Sequence, residues 1–424
     1  MEPIPFKLLK IPEPRLKFKD SHSNYQRDIT KFKPYSFQNK IKSKIGIVYP
    51  QELKEDIKNF VNNLKNEKKD WGWGGINLTF NCNFEFFEYE EKQINKKETI
   101  REYIDDKNED ILIIFCENLR DKDFWELKAQ ALSKKKRLQL TKIGVFCERF
   151  LNSQNSQMKY LYFLNYAVQL YSKAGGIPWI LDSGTGDFRF VNENSLILGF
   201  SFGIDSDGVY YGIAQIVDYY GLTLKFEIFD AGYHKVEGFY IPKDEMEKLL
   251  NKAKKSYNSK YGSKPENIYI YKTSKFLEEE IEGIKSIDAK YYLIHTKMSG
   301  LSIRGYNTDE ENYVIDRGTV LMYPEKKWCV LWTTGNLKNS KHTLGTPKSI
   351  ELEILTNSEL EPESLLKHIS FQALALTKID WEHVNWNVRK PAIFKYSNRA
   401  IKLSRYLIHD RNEGIGRLDV RDLM

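Results

Sequence analysis

Three polar side chains spaced four apart give this sequence its first chemical signal. They are Asn165, Gln169 and Lys173, in the run Asn165-Tyr-Ala-Val-Gln-Leu-Tyr-Ser-Lys173-Ala-Gly-Gly-Ile-Pro178-Trp179. Positions i, i+4 and i+8 share one helix face, so two amides and an ammonium line up while Ala167, Val168, Leu170 and Tyr171 pack elsewhere. Gly175 and Gly176 then end the helix, and Pro178 cannot continue it. A polar and cationic stripe that runs into a sharp turn suits an anion such as a phosphate. Taken alone, the stripe reads first as a half-exposed helix with a glycine cap.

A second set of residues points the same way. Phe124 and Lys128 are i and i+4, so an aromatic ring and a cation share a helix face. Such a pair can stack a terminal base and hold its phosphate. Gln139 lies nearby in the sequence, and between them runs Lys134-Lys135-Lys136-Arg137, either a solvated face or a patch that tracks phosphates.

Bulk properties set the frame for these residues. The chain has 424 residues, length for two or three domains, with 41% hydrophobic and 29% charged residues. Lys and Arg number 65 against 58 Asp and Glu, a formal charge of +7; mean hydropathy is −0.55. That excess permits nucleic-acid binding without demanding it. Cys82, Cys116, Cys147 and Cys329 have no CxxC spacing, which argues against a disulfide framework or a zinc site. No run approaches 18 apolar residues and no leader-like start appears, so we expect a cytoplasmic protein with no membrane span.

The elements that must position the polar stripe follow from periodicity. Residues 1–37, with Pro14-Arg-Leu-Lys-Phe18 and Phe32-Lys-Pro34-Tyr35, read as extended pieces wrapping onto a domain. Strands are predicted at 45–49, 76–80, 110–115 and 143–146. Helices are predicted at 51–65, 96–107 and 124–140, and the stripe helix closes the unit. Strands alternating with helices imply a Rossmann-like parallel sheet, yet no GxGxxG follows a strand, which disfavours a dinucleotide enzyme. Past residue 190 the pattern changes. Segments 195–202 and 209–217 flank Asp205-Ser-Asp207-Gly208 as a hairpin, and 222–229 is a third strand. A helix at 243–257, a strand at 267–271, a helix at 275–284 and a strand at 290–295 follow. Strands at 314–323, 328–332 and 349–355 and helices at 361–377 and 396–409 complete an order expected of an RNase H-like domain.

Phe124-x3-Lys128, Gln139 and Asn165-x3-Gln169-x3-Lys173-x-Gly-Gly-x-Pro-Trp resemble the guide 5′-phosphate pocket of an Argonaute MID domain. The stacking position is commonly Tyr in that family; Phe124 keeps the ring and loses the hydroxyl. Arg317-Gly318-Thr319, Leu344-Gly-Thr-Pro347, Leu376-Thr-Lys-Ile-Asp-Trp381 and Pro391 are similar to landmarks of PIWI domains. The resemblance implies a short, MID–PIWI-only prokaryotic type of archaeal character. Its parts would be a linker at 1–37, a MID domain at 38–185 and a PIWI domain at 186–424. It further allows one Mg²⁺ at the guide phosphate, held by Gln169 and the C-terminal carboxylate of Met424.

The resemblance also says where a nuclease centre would stand. In-line phosphodiester cleavage needs divalent ions held by carboxylates. The family's positions fall here on Ser201, on Thr273 or Ser274, and near Asn385, none of them a carboxylate. A hydroxyl or amide cannot replace charged oxygen ligands for hard cations, so cleavage is not expected. Asp205 and Asp207 read as turn residues, and Asp380 and Glu382 as decoys at a helix end. His295, His342 and His383 form no spaced pair. The resemblance implies a small guide nucleic acid, with RNA favoured, a complementary target, with DNA favoured, a partner supplying an N/PAZ-like half, and a separate defence effector. Lys134, Lys135, Lys136, Arg137, Arg304, Arg389 and Lys390 are the expected contacts to the nucleic-acid backbone. The competing reading is an active guided endonuclease with carboxylates displaced to Asp205 and Asp207.

Overall fold

A computed structural model describes residues 6–68, 73–117, 119–185, 188–190, 194–205, 207–298, 303–308, 313–336, 346–384, 388–407 and 411–424. His342, Leu344, Gly345 and Asn385 lie outside the described residues.

The chain opens with Lys7–Lys10 (β1), then builds a parallel sheet from Ile41–Pro50 (β2), Cys82–Glu91 (β3), Ile111–Cys116 (β4) and Arg137–Lys142 (β5), in the order β3-β2-β4-β5. Every residue of β4 is buried, as expected for a parallel strand covered on both faces. The covering helices are Lys54–Lys65 (α1), Lys97–Asp106 (α2), Asp121–Ser133 (α3) and Ser156–Lys173 (α4).

Two predicted strands of this unit are helical turns instead. Ile76–Phe80 is a short helix between Gly75 at φ +83° and a left-handed Asn81, and it buries Ile76 and Phe80 on one side. On a strand Ile76, Leu78 and Phe80 would share a face, yet Leu78 is exposed while the i, i+4 pair is buried, as on a helix; the strand is the next segment, β3. Ile143–Phe146 is also helical, because Phe146 must turn inward onto Phe60 and Phe115, with ring centroids 5.4 and 5.1 Å away. The predicted 124–140 helix stops at Ser133. Lys135, at φ 58°, makes the turn, and Gln139 therefore stands on β5 rather than on a helix.

The larger sheet uses Ser195–Ile204 (β6), Tyr210–Val217 (β7) and Thr223–Asp230 (β8), followed by a small hairpin of Gly232–His234 (β9) and Gly238–Tyr240 (β10). Helix Lys243–Tyr261 (α5), strand Asn267–Lys272 (β11), helix Glu278–Lys285 (α6) and strand Lys290–Lys297 (β12) come next. Thr319–Tyr323 (β13), Trp328–Trp332 (β14) and Ser349–Thr356 (β15) complete its nine strands in the order β1-β13-β14-β15-β12-β11-β6-β7-β8. Strands β6, β7 and β8 are antiparallel, whereas β11 runs parallel to both β6 and β12. This is the RNase H-like order. Helices Pro362–Leu376 (α7), Ala392–Ser404 (α8) and Val420–Leu423 (α9) follow.

The N-terminal segment straps the two halves together. β1 pairs with β13, and Leu16–Lys17 pairs with Ile180–Leu181. Glu13 meets Arg317 at 3.1 Å and Lys378 at 2.7 Å, both cations fully buried. One apolar core, containing Phe18, Trp179, Ile379 and Trp381, is continuous between the halves. No helix among the described residues is long and apolar enough to cross a membrane.

Candidate nucleic-acid interface

Helix α4 starts on an Asn155 cap, which accepts from the Met158 amide, and buries Phe163, Leu164, Ala167, Val168, Leu170 and Tyr171. It ends on Gly175 at φ +111°, and Gly176 lies so close to the Tyr171 ring that a Cβ there would meet it at 2.3 Å. That close approach, rather than a loose cap, fixes where the last helical residue points. Lys173 is consequently 1% exposed.

Lys173 and Lys128 meet at one atom. Lys173 donates at 2.6 Å to the main-chain oxygen of Met424, and Lys128, from α3, donates to the same oxygen. The chain's last helix is held there by two arginines. Arg399 donates to the Leu423 carbonyl at 2.9 Å, and Arg137 pairs with Asp422 at 2.9 Å and donates to the Lys173 carbonyl. Lys128 also sits 5.1 Å from the Phe124 ring centre.

Burial pushes the Lys128 ammonium well below the usual lysine range, and Lys173 and Arg399 add repulsion. Burial holds Lys173 down to about 7, although Glu382 and Asp422 pull the other way. Glu382 and Asp422 act on both Lys128 and Lys173, and Asp380 acts on Arg399 as well as Glu382 does. An anion entering beside two buried ammonium groups offsets the cost of keeping them charged there. Gln139 is half-buried on β5, and its side-chain oxygen has no hydrogen-bond partner.

Asn165 and Gln169 are used differently from Lys173. Asn165 accepts from the Val384 amide at 2.6 Å, and Gln169 donates to the Glu382 carbonyl at 2.9 Å. The two amides of the stripe latch a loop of the second half, and only Lys173 reaches the lysine pair. The oxygen that the resemblance would give to Mg²⁺ receives two ammonium groups, and the Gln169 amide is committed to Glu382. The donor set here fits an anion rather than a cation.

A cleft of about 990 Å³ opens beside this pocket, between α3, α8 and the ends of β6, β11 and β12. Phe124 stands in its wall, as do Ser201 and Thr273, which β6 and β11 bring side by side: the parallel register pairs Gly199 with Tyr271, two residues earlier on each strand. Ser201 shares a hydrogen bond with Ser397 at 2.7 Å. Ser274 turns away and donates to the Phe239 carbonyl at 2.7 Å. Lys142, Lys297, Arg389, Lys390, Lys395, Arg399 and Lys402 also line the cleft, against a single lining carboxylate among the described residues, Asp121.

The expected backbone contacts divide. Arg389 and Lys390 line this cleft, Arg389 also donating to the Met298 carbonyl. Arg304 is exposed. The 134–137 run is not a uniform patch. Lys134 is 3.5 Å from Asp105, Lys136 donates to the carbonyls of Ile104 and Lys107, and Arg137 supports the lysine pocket. Lys135 is exposed and lines a second cavity, of about 1500 Å³, together with Arg137, Lys173 and Asp422 of the lysine pocket.

The acidic candidates have structural partners. Asp205 accepts from the amides of Asp207 at 3.0 Å and Val209 at 2.9 Å, as a turn residue does. Asp380, Glu382 and His383 bring possible ligand atoms within 4.8 Å of one another. However, Lys395 bridges Asp380 and Glu382 at 2.5 Å each, Tyr396 donates to Asp380, and Arg399 pairs with Glu382. Glu382 is held far below the usual carboxylate range; burial opposes this, and Lys395 and Arg399 outweigh it.

Sequence reasoning missed Arg399, Lys395 and Lys402, although their i, i+4, i+7 spacing marks a cationic face. It also missed the last helix, whose Asp419 and Asp422 form a capping box readable from spacing alone.

No family model matches the chain, and no curated protein sequence matches it. Solved structures do. Clostridium butyricum Argonaute bound to a guide DNA and a 19-mer target DNA superposes with TM-score 0.71 at 19% identity, covering 98% of this chain and 55% of that one. The fold is that of Argonaute proteins. Marinitoga piezophila Argonaute in complex with 5′-OH guide RNA gives TM-score 0.64 at 16% identity, covering 96% of this chain and 59% of that one. Drosophila Piwi gives 0.64 at 12%, covering 97% and 56%. The chain therefore spans between 55% and 59% of the length of these Argonaute-fold structures.

Proposed function

We propose that this chain anchors the 5′-phosphate of a guide oligonucleotide, holds the guide with its complementary strand, and does not cut. The carrying observation is the charge of the cleft: among the described residues, Ser201 and Thr273 line it where carboxylates would be needed, and seven Lys and Arg side chains line it with them. Cations suit the phosphate backbone of a duplex, whereas a two-metal centre needs the reverse. The similar proteins were solved with guide DNA and target DNA, and with guide RNA, which supports the guide-binding reading.

Within that reading, Lys128 and Lys173 hold the terminal phosphate and Phe124 stacks on the first base. Arg137 and Arg399 position the segment that the lysines touch. Sequence would be read by pairing between strands, with the protein contacting the backbone. A short MID–PIWI protein that binds without cutting passes its output to a partner and a separate effector in defence against invading DNA, in the cytoplasm; an RNA guide and a DNA target are the favoured pair.

The test is to load the protein with a 5′-phosphorylated guide and incubate it with matched target and Mg²⁺ or Mn²⁺. Stable retention of intact target is expected. A discrete cut opposite the guide would overturn the non-cleaving reading and favour displaced carboxylates.

A further inference from the structure

Four aromatic rings run in contact from the lining of the cleft to the surface. Phe202, next to Ser201 on β6, and Phe239 on β10 both line the cleft, and their rings stack at 5.3 Å with planes 3° apart. Tyr210 lies 5.8 Å from Phe239, and Tyr233 stacks on Tyr210 at 5.5 Å and 24°. Tyr233 and Phe239 are paired across the β9–β10 hairpin, with ring centres 5.3 Å apart.

The hairpin is braced where the rings need it. Gly232 leaves room for the Tyr240 ring, which a Cβ there would meet at 2.3 Å. Gly238, at φ +84°, supplies the left-handed turn. Ser274 ties the hairpin to the end of β11 through the Phe239 carbonyl. A cluster serving only to hold the hairpin would be covered, yet Tyr233 is 49% exposed and Val236, at the tip, 80%. The inner end of the row lines the same cleft as Lys297 and Lys390, and Lys235 is exposed on the hairpin itself.

Rings held at stacking distance that emerge from a cationic cleft match the way single-stranded nucleic acid is bound, by base stacking with cations along the backbone. The geometry points to this aromatic row as a site for unpaired nucleotides of a strand that continues out of the cleft, with Tyr233 as the outer stacking ring. The inference rests on the reading of the cleft as a duplex site.

The full chain, loaded with a 5′-phosphorylated guide, is titrated with labelled target that is blunt or carries a single-stranded tail of about four nucleotides at one end or the other. A tail at one of the two ends is expected to tighten binding by about tenfold. Tyr233→Ala should abolish that gain and leave blunt-duplex affinity unchanged, while Tyr233→Phe should retain it. No gain at either end, or a gain that survives Tyr233→Ala, overturns the inference while the cleft reading stands. Failure to retain even the blunt duplex overturns both. A hairpin that binds protein instead would show no tail effect.

Discussion

Lys128 and Lys173 come from two different helices, α3 and the last turn of α4, and donate to the same main-chain oxygen of Met424. Each is nearly excluded from water, so any anion entering beside them meets two charge-assisted donors with little solvent to screen them. Replacing either lysine by Ala should weaken a 5′-phosphorylated oligonucleotide by about tenfold to a hundredfold. The same oligonucleotide with a 5′-hydroxyl should lose far less. Equilibrium binding of the two forms checks this; an equal loss for both would place the phosphate elsewhere.

The same burial makes the free protein sensitive to pH. Lys173 titrates near 7 when folded, against about 10.4 in an unfolded chain. Between those values the unfolded state binds more protons, so stability rises with pH across this window. The urea midpoint of the wild type should therefore climb from pH 7 to pH 9 more steeply than that of Lys173→Met. Binding a 5′-phosphate in the same window should take up protons, which calorimetry in buffers of different ionisation enthalpy would read. Parallel pH profiles for the two proteins would contradict the assignment.

Glu13 has the opposite sign. Burial raises its pKa, but Arg317 and Lys378 outweigh that and hold the carboxyl below its usual range. Its contribution is therefore complete above the unfolded carboxylate value of about 4.3 and fades as pH falls through the folded one. Glu13→Gln leaves two buried cations uncompensated and should cost about 3–5 kcal/mol near neutral pH. Denaturant unfolding at pH 7 and in acid should show the gap between wild type and variant closing as pH falls.

The cationic wall predicts a salt signature. Lys297→Ala, Lys390→Ala and Lys402→Ala should weaken matched duplexes of unrelated sequence alike. Each should lower the slope of log affinity against log salt by about one. Titrations at several salt concentrations measure this. A loss confined to particular sequences would mean that these lysines touch bases.

Much of the scaffold was legible because its signals are local. β4 is a run of apolar residues, the hairpin of β6 and β7 carries its Asp-Gly turn, and the spacing of Asn165, Gln169 and Lys173 placed them on one helix. The errors at Ile76–Phe80 and Ile143–Phe146 arose where short apolar runs suit either a strand or a turn of helix. Contacts with Phe60 and Phe115, distant in sequence, decide the second case.

From residue types alone, the chain's polar stripe, the cation and ring of Lys128 and Phe124, and the uncharged Ser201 and Thr273 could be read. Tertiary structure alone decided that Asn165 and Gln169 latch the 382–384 loop, that Lys173 turns inward to meet Lys128, and that the α8 cations line the cleft. Helical spacing sets the face on which a side chain starts. What that side chain touches depends on partners more than 200 residues away, Val384, Glu382 and Met424, which only the packing of the two halves brings near.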